Sequence, residues 1–111
     1  MIINRNKKIA LSQKEIFCKN FWSQIRGLMF KKKQNLVMIF PKERIISLHN
    51  FFVFYPLEII ILDQNKKVVE IRKNFRPFTF WTSSEKGQYL IELGLENSQN
   101  KTKVGEQLEI R

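Results

Sequence analysis

His49 is the only histidine of the chain and the only side chain whose ordinary pKa lies near neutrality, so acid–base or metal chemistry has to begin there. It stands in Leu48-His49-Asn50-Phe51, between apolar residues, where a histidine more often makes a structural hydrogen bond than ligates or catalyses. In a regular strand His49 and Asn50 point to opposite faces. Arg26 has a planar guanidinium that can hold a carboxylate at two points, and Glu58 and Glu92 are the partners to examine first. If Arg26, His49 and Asn50 open to solvent near one another, they form an anion-binding pocket. Trp81 belongs to an aromatic group with Phe75, Phe78 and Phe80, beside Arg72, Lys73 and Arg76. Aromatic residues next to cations can stack nucleobases or sugars. The candidate pocket is therefore Arg26, His49, Asn50, Glu58 and Trp81.

Other chemistries find little support. Cys18 is the single cysteine, which rules out an internal disulfide and, with one histidine, a structural zinc set. Lys19 beside it could lower its pKa, but no second thiol or histidine is placed to act with it. No serine has a nucleophile-elbow context, and the four glycines stand too far apart for a phosphate loop. No cofactor and no metal is expected, and no catalytic residue is assigned. A hydrolase using His49 remains the enzymatic alternative, requiring a carboxylate within about 3 Å of the ring.

The formal net charge is +10. Residues 1–44 carry eleven bases and two acids, a local +9, against nine bases and eight acids in 45–111. Lys31, Lys32 and Lys33 form the densest run. This field attracts polyanions at low salt, although Lys-rich surfaces are often only solvated faces. The partner classes left open are a weakly bound polyanion, nucleic acid included, and another protein. No apolar run approaches the roughly 20 residues of a membrane helix, and the first residues lack a signal-peptide pattern. The expected location is the cytoplasm.

These residues need elements to position them. With 111 residues and 43% hydrophobic content, ten Phe among them, the chain is expected to be one domain with a real core. Ile2-Ile3 and Ile9 to Leu11 around a polar turn suggest an opening hairpin. Asn20 caps an apolar stripe at Phe21, Trp22, Ile25, Leu28 and Met29, which predicts a short helix. The runs Leu36–Phe40, Ile45–Leu48, Phe51–Tyr55, Leu57–Leu62, Lys67–Arg72, Gln88–Leu93 and Leu108–Ile110 read as strands, with Pro41–Arg44 and Trp81–Gly87 as connections. The predicted class is α+β: a mainly antiparallel, barrel-like sheet of short strands with one short helix.

Five stretches in order resemble the family known as domain of unknown function 192. They are Asn20 to Phe30 with its Arg26-Gly27-Leu28-Met29, Ser47 to Asp63, Lys67 to Glu70, Gln88 to Leu93, and Val104-Gly105-Glu106. The resemblance covers roughly residues 9–110. It implies a compact barrel-like β protein with a helix at the Arg-Gly-Leu-Met segment, and no particular reaction. Glu58 and Glu106 stand where the family generally has Asp, and Val53 where Met is common. The most economical functional reading is a small binding or interaction module.

Overall fold

The computed structural model describes residues 1–18, 35–49, 57–77, 79–94 and 101–111. Every regular element among them is a strand: β1 (Ile2–Asn4), β2 (Ile9–Ser12), β3 (Glu15–Cys18), β4 (Asn35–His49), β5 (Leu57–Leu62), β6 (Val68–Phe75), β7 (Phe80–Leu93) and β8 (Leu108–Ile110). They form two sheets, one of three strands in the order β2-β1-β8 and one of five in the order β3-β4-β7-β5-β6. Pairing is antiparallel throughout except for β3, which runs parallel to β4.

This corrects the α+β, barrel-like expectation. Among the described residues every regular element is a strand, and the two sheets do not form a closed barrel. The helix expected over Phe21 to Met29 lies outside the described residues. The physical reason for the open sheets is visible in the pairing. β4 and β7 pair with each other over most of their length, and β6 meets the small sheet only at its start, where Val68 bonds the backbone of Gly105 and Glu106 beside a bridge between Lys67 and Gln107, so the two sheets join at a corner instead of one sheet closing on itself.

Two cores follow from the pleat. On one face of the large sheet Leu36, Met38, Leu57, Ile59, Ile61, Phe75 and Leu90 cluster with Ile46. On the other, Val37, Ile60, Leu62, Ile91 and Leu93 meet Ile2, Leu11 and Leu108 of the small sheet, so this layer joins the sheets. β5 is buried along its whole length, between β7 and β6 with a core on either side, which explains its uninterrupted apolar sequence. β4 passes straight through Pro41, because the ladder to β7 is broken between Ile39 and Arg44 and no N–H is missed there.

Asn4 ties the small sheet's turns together. Its amide donates to the Lys101 carbonyl at 2.7 Å and to Glu106 at 3.1 Å, while its Oδ1 accepts from the backbone N–H groups of Asn6 and Lys7. Burial pushes the Glu106 carboxyl upward, but the hydrogen bonds from Asn4 and the Lys103 N–H, with the Lys7 charge, bring it below its ordinary value.

Gly87 is required by close approach. A Cβ there would overlap the Cγ2 methyl of Ile61, a β-branched residue with no exposure and no room to retreat. Gly87→Ala is expected to lower stability by roughly 1 to 3 kcal/mol, read as an earlier midpoint in urea. An unchanged midpoint would mean that β5 and β7 are not in this register.

Candidate functional site: the polar end of the large sheet

The rows of the large sheet are apolar in the middle and polar at one end. β4 enters this end at Asn35, β5 enters it at Leu57, and β7 leaves it at Leu93. The register sets Leu36 against Glu92 and Glu92 against Ile59, with Leu93 opposite Glu58. Asn35, Glu58 and Glu92 are all buried there, together with Ser12. Buried polar side chains normally bring their own partners, so each can be asked where its hydrogen bonds go.

Asn35 is satisfied. Its Oδ1 accepts from the Gly94 N–H at 3.0 Å and its Nδ2 donates to Ser12 Oγ at 2.7 Å. Ser12 Oγ in turn donates to Glu15 Oε2 at 2.5 Å. This chain of bonds pins the β2–β3 turn to the ends of β4 and β7.

Glu92 differs. It is 6% exposed, on the same face as Leu36, Ile59 and Leu90, and no described residue donates a hydrogen bond to it. Desolvation by this apolar wall pushes its carboxyl from the ordinary 4.5 to about 7. Such a group holds its proton through the mildly acidic range and gives it up near neutrality. It can donate a hydrogen bond as the acid, or balance a cation as the carboxylate.

Glu58, at 4% exposure, belongs to the opposite face, with Leu93 and the layer joining the two sheets. One guanidinium can therefore reach Glu58 or Glu92 but not both. Trp81 is half-buried, lies opposite Leu48, and packs against the core cluster on the Glu92 side of the sheet. Glu58 and Trp81 are thus separated by the sheet instead of lining one pocket. His49 ends β4 at the register position opposite Phe80. Arg26, Asn50, Lys31, Lys32 and Lys33 lie outside the described residues, as does the side chain of His49. Phe75 is core and Phe80 is exposed, so the aromatic group of the sequence is divided between interior and surface. Among the described residues no group of His, Cys, Asp and Glu converges as a metal site.

Asn35 and Ser12 carried no sequence signal beyond polarity. Glu92 did carry one: a carboxylate in the apolar run Leu90-Ile91-Glu92-Leu93, on a strand with partners on both sides, has to be indoors.

The fold recurs in solved structures. A Sinorhizobium meliloti protein described as a candidate transcription regulator matches with a TM-score of 0.82 at 17% identity, covering 97% of this chain and 88% of its own. A protein of unknown function from Novosphingobium aromaticivorans matches with a TM-score of 0.78, also at 17% identity, over 86% of this chain and 74% of its own. These likenesses define the fold class. The family follows from sequence: the DUF192 model, described as "Uncharacterized ACR", matches residues 2–110. UPF0127 protein PH1112 of Pyrococcus horikoshii is 33% identical over 95 residues, spanning 83% of this chain and 82% of that protein. The chain belongs to the DUF192 family.

Proposed function

We propose that the chain is a single small binding domain whose ligand site is the polar end of the large sheet, with Glu92 as the group that meets the ligand. The observation that carries this reading is a carboxyl more than nine-tenths buried, against Leu36, Ile59 and Leu90, with no donor supplied by the described residues. A buried carboxylate is costly unless paired. A ligand bringing a protonated amine beside an apolar body answers both the charge and the wall. The single cysteine suits a reducing compartment, and the same reading places the module in the cytoplasm.

The n-butylammonium ion, a cation throughout the range tested, is a suitable probe. Its binding requires ionised Glu92, so the apparent affinity should be roughly tenfold higher at pH 8 than at pH 6 for a group that titrates near 7. Amide chemical shifts followed by NMR are expected to move along Leu36, Ile59 and Glu92 in the native chain, and to stay fixed in Glu92→Gln. Equal shifts in that variant, or none at tens of millimolar probe, would refute the assignment.

A further inference from the structure

We infer that the Glu92 site is specific for a primary ammonium group, the head of a lysine-like alkylamine, and discriminates against guanidinium and N-substituted ammonium ions of the same charge. The inference rests on the ligand reading of Glu92 and adds to it the number of N–H donors the ligand must carry. A carboxylate has two oxygens with about four lone-pair positions for hydrogen bonds. No described residue donates to those of Glu92, so a cation without N–H groups would balance the charge and still leave buried acceptors bare. The ligand has to bring donors.

The surroundings set the upper limit on how many. Glu92 lies inside the large sheet, with β4 beside it at Leu36 and β5 at Ile59, and these strands are paired in turn with β3 and β6, so the backbone carbonyls along this row belong to the ladders. Leu36, Ile59 and Leu90 are fully buried and carry no polar side-chain atom. Arg72, next along the row beyond Ile59, is exposed and has donors only. Asn35 spends its amide on the Gly94 N–H and on Ser12, and Glu58 belongs to the opposite face. Among the described residues the Glu92 carboxylate is therefore the one acceptor at this end of the face. A primary ammonium has three N–H groups, which its lone pairs can all receive. A guanidinium has five, of which a carboxylate takes two in the fork geometry, leaving three unpaired against leucine and isoleucine side chains. A fully substituted ammonium has none. On an exposed carboxylate the fork favours guanidinium, and burial reverses that order.

The test is an NMR titration of the native chain at pH 8, above the titration of Glu92, with four singly charged cations. n-Butylammonium is expected to bind roughly tenfold more tightly than n-butylguanidinium. N-methylbutylammonium and 1-methylbutylammonium are isomers of one size, with two and three N–H donors, and the second is expected to bind roughly tenfold more tightly than the first. That pair separates donor count from bulk. The shifts should centre on the amides of Leu36, Ile59 and Glu92 and vanish for every probe in Glu92→Gln. n-Butylguanidinium binding as tightly as n-butylammonium, or equal affinities for the two isomers, would overturn the specificity and leave the Glu92 site standing. No shifts from any of the four would remove the site itself, and the inference with it.

Discussion

Truncating Phe75 to alanine is expected to cost about 3 to 5 kcal/mol, enough to unfold a marginal domain of this size. Phe75 is 1% exposed and the largest of the fully buried side chains, ending β6 opposite Leu57. It closes the core cluster that contains Ile59, Ile61 and Leu90. β6 is an edge strand, so the surroundings can collapse only from one side, and the vacated volume stays partly empty. Equilibrium denaturation in urea measures the cost. A loss below about 1 kcal/mol would mean that β6 does not seat Phe75 in this cluster.

The second large effect is on pH dependence. Burial raises the Glu92 carboxyl from 4.5 to about 7. A folded pKa above the unfolded one means that the group's contribution is fully present below about 4.5 and is lost as pH rises through 7. The difference amounts to roughly 3 kcal/mol overall, most of it falling between pH 5 and pH 8. Glu92→Gln keeps the shape and the neutral state. It is therefore expected to be the more stable protein at pH 8 by roughly 2 to 3 kcal/mol and nearly equal at pH 5. Paired urea denaturations at the two pH values decide it. A variant that is less stable at pH 8 would show that the carboxylate has a cationic partner.

The two predictions show where the sequence was legible. β5 appears as Leu57–Leu62 in both sequence and structure, because burial on two faces writes an unbroken apolar run. The opening hairpin is present as β1 and β2, and β8 stands where Leu108–Ile110 predicted it. The connections at Pro41–Arg44 and Trp81–Gly87 were misread. Proline and a Ser-Ser-Glu run usually mark turns, but here both fall at irregularities inside long strands. The Ser83 hydroxyl supplies the missing order by accepting from the Ile46 N–H at 2.9 Å and donating to the Glu85 carbonyl at 2.8 Å. The parallel pairing of β3 with β4 had no local signature, since it depends on distant chain.

The site was legible only in part. Glu58 and Glu92 were named in the sequence as carboxylates that could pair with Arg26, but which face each would occupy depends on a one-residue difference in register. That difference places Glu58 toward the joining layer and Glu92 toward Leu36 and Ile59.

Direct titration of the Glu92 side-chain carboxyl by carbon-detected NMR tests the account at its centre. A midpoint near 7, shifted downward when n-butylammonium is added, is the predicted result. A midpoint at or below the ordinary 4.5 would contradict it, because the carboxylate would then already own a partner within the chain.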